Sequence, residues 1–175
     1  MDEKKLFRTG AICAFGLAGA AITNGIATFT GPYALWVISR MLIVIFAFGF
    51  LPALQVKVRK AHAGYASWMI NLAYLGVAAE GLYYFGKLDF DTTWLFFGGL
   101  GLSTLAFNII AMRHALWPKA LAWIGIATGA LLLCVVVASF WPQALNVVGQ
   151  VSAGLGAVVL YPIWLIWLGI RFRVE

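Results

Sequence analysis

Residues 33–62 read YALWVISRMLIVIFAFGFLPALQVKVRKAH. From Tyr33 to Leu54 this stretch carries a single charge, Arg40, after which Lys57, Arg59 and Lys60 follow within four residues. A hydrocarbon core about 30 Å thick is crossed by about 20 apolar residues in helical form, so the run is long enough to span a bilayer. The basic cluster at its end marks the side expected to stay in the cytoplasm, where Lys and Arg accumulate beside membrane helices.

Working outward from this segment, the same pattern recurs along the chain. Spans are expected at about residues 9–29, 33–54, 64–85, 92–112, 120–140 and 147–170. The expected fold is therefore an all-α, polytopic transmembrane bundle of six helices, with residues 1–175 forming one integral membrane domain. Thr30, Gly31 and Pro32 close the first span, and Trp141, Pro142 and Gln143 precede the sixth. Lys87, Asp89 and Asp91 form the acidic loop after the third. Pro162 is expected to kink the last helix. The opening MDEKKLFRTG has the look of a signal peptide, but the apolar run passes the small residues at Ala18–Ala21 and continues to Phe29, which predicts an uncleaved first helix.

Composition agrees. Hydrophobic residues make up 63% of the chain and charged residues 10%, against about 25% charged in an ordinary soluble domain. The net charge of +6 does not point to nucleic acid, because the basic residues sit at span ends rather than on one water-facing surface. Lys4, Lys5 and Arg8 precede the first span, Lys57, Arg59 and Lys60 follow the second, Arg113 and Lys119 flank the fourth loop, and Arg171 and Arg173 close the chain. Lys87 stands alone on the other side, so both termini are expected in the cytoplasm. Trp36, Trp94 and Trp141 are placed near the outer interface, and Trp68, Trp117, Trp123 and Trp167 near the inner one. The natural partners of such a chain are membrane lipids, together with a small ligand or a membrane protein, and the expected location is a bacterial cytoplasmic membrane.

Small residues show where helices can approach closely. Gly125 and Gly129 form a GxxxG pair, Ser152 and Gly156 repeat its spacing, and Gly98, Gly99 and Gly101 crowd the fourth span. Packing within one protomer is the expected use of these positions. Cys13 and Cys134 fall at different depths and are read as small apolar side chains without a disulfide.

Two charges lie inside the spans. Arg40 is seven residues past Tyr33 and Glu80 seven residues before Lys87. At 1.5 Å per residue both lie about 10 Å below the same interface on adjacent antiparallel helices. A charge at mid-membrane costs roughly 2.5–3.5 kcal/mol on insertion scales, so an Arg40–Glu80 ion pair is expected. Asn24, Asn146 and Gln150 are placed at a similar level, with Thr23 and Thr28 nearby, which sketches a polar pocket in the outer half of the bundle. One reading makes the pair an architectural staple, and another makes the pocket a binding site for a small ligand, ion or headgroup. A small-solute or proton-coupled transporter using Glu80, or an enzyme acting on a lipid or quinone, are the alternatives. No catalytic motif is present, and no metal or cofactor site is expected, because His62 and His114 are the only histidines and both lie at the cytoplasmic edge.

The stretch WPKALAWIGIATGALLL at 117–133 and the closing LYPIWLIWLGIRF at 160–172 resemble small bacterial multi-pass membrane proteins grouped as domains of unknown function. The likeness covers the last two spans, and it implies a fold type without an activity.

Overall fold

The chain starts its first helix at once. The Asp2 side chain accepts the Lys4 amide at 3.3 Å, capping α1 (Glu3–Thr30). Gly31 ends it with φ of 86°, a left-handed conformation that costs a residue without Cβ little. The computed structural model describes residues 2–61, 63–87 and 90–174, with the backbone alone for Ala63, Tyr65, Ala66 and Ser67. His62 and Asp89 lie outside the described residues. After α1 come α2 (Tyr33–Arg59), α3 (Ala63–Tyr84), α4 (Thr93–Arg113) and α5 (Lys119–Phe140). The last helix, Pro142–Val174, is continuous and consists of α6 (Pro142–Ala153), a π-helical segment (Gly154–Leu160) and α7 (Tyr161–Val174).

Several helices run further than the hydropathy suggested. α1 begins at Glu3, ahead of Thr9, and α2 continues through Pro52 and past Leu54 to Arg59, so Lys57 and Arg59 belong to the helix and not to a loop. The last helix starts at Pro142, because proline is well suited to the first helical turn, where no intrahelical N–H bond is lost. Apolarity marks the part of a helix that meets hydrocarbon, whereas the helix itself extends into the polar flank.

Among the described residues five helices are long and apolar enough to cross a membrane: α1, α2, α4, α5 and the composite Pro142–Val174. The 22-residue α3 packs between α2 and α4. Large apolar side chains cover the outside, with Phe29, Ile45, Trp68 and Val147 all exposed. A water-soluble monomer does not tolerate so continuous an apolar surface. These properties together are those of a membrane protein.

The helices pack largely in chain order, and α1 closes the bundle against α7. One end is basic, with Arg59, Arg113, Lys119 and Arg171 at helix ends, and Lys60 pairs there with Glu3. The far end holds the Gly31 and Trp141 turns. Gly129 lies against the α4 backbone at Gly101 and Leu105, Gly99 backs onto Leu72 of α3, and Gly156 meets Leu131 of α5. The small-residue positions thus serve contacts inside this protomer. Both cysteines are free.

Asn108, in the last third of α4, organises the basic half. It is fully buried, donates to the Thr104 carbonyl at 2.7 Å, and its Oδ1 accepts both the Trp117 Nε1 at 3.2 Å and the Trp164 Nε1 at 3.0 Å. Gly125 of α5 leaves no room for a Cβ beside this amide, which explains glycine there better than a dimer seam does. Trp117 is therefore buried at 6% exposure and is not the interfacial anchor its position next to Pro118 suggested. Phe50 meets the Trp164 ring edge-on at 6.0 Å, and with Leu165 and Leu168 it fills the space between Arg40 and the basic end.

Pro162 does not end or sharply break the last helix. Proline has no N–H and crowds the carbonyl four residues earlier, here that of Val158. The preceding turn widens instead, so that the Tyr161 N–H reaches back five residues to the Gly156 carbonyl. This segment crosses α1 where Gly25 sits against Val158, a contact too close for any larger residue at 25. On the basic side of the crossing α1 and α7 pack tightly, while on the far side α6 touches only α5 and the π segment and does not approach α1. The two helices open into a V.

Replacing Asn108 by Leu strands two buried indole N–H donors, each at about 1–3 kcal/mol. The Asn108→Leu protein is expected to lose about 2–6 kcal/mol in a detergent unfolding titration, and an unchanged midpoint contradicts the role given to this amide.

Candidate functional site

Arg40 sits seven residues into α2 and Glu80 near the end of α3, and the antiparallel packing of these helices brings them together. Arg40 Nη1 donates to Glu80 Oε1 at 2.9 Å, with only 8% of Arg40 and 2% of Glu80 exposed. The second carboxylate oxygen, Oε2, accepts the Thr92 hydroxyl at 2.8 Å. Thr92 is fully buried just ahead of α4, and Asp91 next to it accepts the Thr93 amide at 2.9 Å, fixing the start of that helix.

The guanidinium is also enclosed by rings. Trp36, Phe96 and Phe97 lie with their centroids 5.3, 5.4 and 5.5 Å from Arg40 Cζ, an arrangement in which ring quadrupoles stabilise a desolvated cation. Arg40 Nε is buried and has no acceptor.

Asn24 of α1 donates through Nδ2 to the Trp36 carbonyl at 3.3 Å and to Ser39 Oγ at 3.0 Å. The Ser39 hydroxyl itself donates to Trp36 O at 2.8 Å. Because a carbonyl can only accept, this network fixes which end of the amide is which. Both N–H bonds of Asn24 are therefore used in tying α1 to α2, and its Oδ1 makes no hydrogen bond among the described residues.

Two neighbouring cavities share Asn24 and Arg40 in their walls. The larger, about 480 Å³, fills the V between α1 and the last helix, with Asn24, Thr28, Trp36, Arg40, Phe97 and Gln150 among its walls. The smaller, about 40 Å³, is lined by Asn24, Arg40, Ile43, Leu100 and Tyr161. Cavities of about 300–1,000 Å³ with few polar groups on apolar walls are the usual size and character of small-molecule sites.

Four of the five pocket residues expected from sequence, Arg40, Glu80, Asn24 and Gln150, come to this region. Arg40, Asn24 and Gln150 line the larger cavity, and Glu80 stands behind Arg40. Asn146 does not line it: one turn further out on α6 it is exposed and connects only by accepting Gln150 Nε2 at 3.2 Å. Thr28 joins the wall while its hydroxyl donates back to Asn24 O at 2.8 Å, and Thr23 similarly donates to Gly19 O at 2.9 Å. Thr92, Ser39 and the three rings were not anticipated. The adjacent Phe96 and Phe97 at the same depth as Arg40 were the available signal for the rings. Among the described residues no three His, Cys, Asp or Glu side chains converge, and His114 is exposed at the basic end.

No family model matches this chain, and no curated protein or solved structure matches it either.

The pair's own contribution can be isolated by a double-mutant cycle. Glu80→Gln leaves a buried guanidinium without its counter-charge and is expected to cost about 3–5 kcal/mol, most of it recovered when Arg40→Met is added. Thr92→Val removes one bond to a charged acceptor and is expected to cost about 1.5–3 kcal/mol. Thermal or denaturant unfolding in detergent reads all three, and additive single effects in the cycle contradict direct pairing.

Proposed function

We propose that this chain is a six-span protein of a bacterial cytoplasmic membrane, with both termini in the cytoplasm, and that it binds a small lipophilic molecule in the outer half of its bundle. The topology rests on the ten Lys and Arg residues at one end against Lys87 at the other, with α3 counted as the sixth span. The binding reading rests on one observation: the cavity of about 480 Å³ in the V between α1 and α6, with Arg40 in its wall holding a buried donor that lacks an acceptor. A staple alone requires no cavity, and buried donors are ordinarily satisfied.

Passage through the protein is less well supported than binding. Below Arg40 the bundle is filled by Phe50, Phe107, Trp164 and Leu168, all at most 1% exposed. Access is open at the V and closed toward the basic end, which is the geometry of a receptacle and not of a path.

Two measurements test this. In a cysteine-free background, Thr30→Cys is expected to react with a membrane-impermeant maleimide on intact cells and Lys119→Cys only after lysis; the reverse pattern overturns the orientation. For the cavity, Gly154 lines the wall and a Cβ there meets no atom within 4 Å, so Gly154→Phe fills space without breaking the helix. Mass spectrometry of organic extracts is expected to find a lipophilic molecule with the native protein and at least about tenfold less with Gly154→Phe at undiminished thermal stability. Equal recovery from both proteins counts against a ligand in this cavity.

A further inference from the structure

The charges and hydrogen bonds around the cavity restrict what can occupy it. Arg40 is the one charged residue in the described walls of both cavities, and its charge is already matched by Glu80 at 2.9 Å. The carboxylate is in turn held by Thr92. The pair is thus neutral as a unit, and rings crowd the guanidinium. An anionic headgroup entering this site has no unmatched positive charge to meet, and it has to compete with Glu80 for the same cation in an apolar surrounding, where an unpaired charge is strongly disfavoured.

What the site still offers is hydrogen-bonding capacity of both kinds. The donors are the guanidinium N–H groups of Arg40 beyond the one given to Glu80, Nε among them. The acceptor is Asn24 Oδ1, since both N–H bonds of that amide go to Trp36 O and Ser39 Oγ. Asn24 and Arg40 line the larger and the smaller cavity together, so both groups belong to one site. A ligand that satisfies them carries a carbonyl oxygen close to a hydroxyl. The rest of the wall is apolar, with Phe29, Phe97, Ala157 and Val158, and the V leaves a lateral way out between α1 and α6.

Building on the binding reading above, we infer that the occupant is a neutral glycerol-ester lipid: a free hydroxyl beside an ester carbonyl sits at Asn24 and Arg40, and the acyl chains leave through the gap between α1 and α6. The cavity of about 480 Å³ takes the head and first carbons, and the remaining chain lies in the bilayer. An uncharged isoprenoid quinone has the carbonyl but no hydroxyl, and phosphatidic acid has the ester carbonyls but a phosphate in place of the hydroxyl.

The test uses the purified full chain in detergent, with ligand-dependent shifts in thermal stability measured for dioctanoylglycerol, dioctanoyl phosphatidic acid and decylubiquinone, in the native protein and in Gly154→Phe. The expected result is that dioctanoylglycerol binds at least about tenfold more tightly than either of the others, the scale of one lost hydrogen bond, and that Gly154→Phe removes its shift. Arg40→Lys keeps the positive charge but removes the guanidinium fork with its N–H groups, and is expected to weaken dioctanoylglycerol by about tenfold. Tighter binding of phosphatidic acid or of the quinone, abolished by Gly154→Phe, overturns the inferred chemistry while leaving the cavity as a binding site. Shifts that Gly154→Phe does not alter, or no shift with any of the three, overturn the binding reading itself.

Discussion

The half of this bundle remote from the basic end is arranged around one requirement: two opposite charges buried among apolar helices must face one another. Arg40 and Glu80 meet that requirement at 2.9 Å, and the consequences spread to their neighbours. Thr92 has to present its hydroxyl to the remaining carboxylate oxygen, which fixes the start of α4. Trp36, Phe96 and Phe97 have to close over the guanidinium, which sets the rotation of α2 and α4 about their axes. Removing water from such a pair costs free energy, so its value lies as much in register as in stability. A slip of either helix by one turn moves the charges about 5 Å apart and leaves both unmatched.

The basic half is held differently. There an uncharged amide, Asn108, collects two indole N–H groups from segments far apart in the chain, and Gly125 provides the space for it. This lower half is well packed, while the upper half diverges from the contact of Gly25 with Val158. The divergence and the widened turn before Pro162 fall on the same stretch of the last helix. A proline that cannot accept a regular turn before it thus lies next to the point where the cavity begins.

Hydropathy and the basic residues made the helices and their order legible, because lipid imposes the same apolar length on every span. The depth of Arg40 and Glu80 was equally legible, since residue counts convert directly to distance along a helix. The divergence of the helices was not. Asn146 and Gln150 share a face of α6 one turn apart and both are exposed, but α6 parts from α1 in a way no local pattern records, and only Gln150 lines the cavity. Trp117 was misplaced for a related reason: next to a proline and a lysine it has the local context of an interfacial anchor, yet its partner Asn108 lies nine residues away on another element. Long-range partners of this kind leave no trace in composition.

The V between α1 and α6 is bounded by protein on only part of its circumference, because α6 is attached along α5 and the π segment alone. In a bilayer the missing wall is made of lipid. Such a chamber does not sample an aqueous concentration; it samples mole fraction in the leaflet, where a minor component at one part in a hundred is already abundant beside the opening. For a ligand of the kind proposed above, a weak intrinsic preference is then enough for high occupancy, which follows the composition of the leaflet rather than delivery from solution.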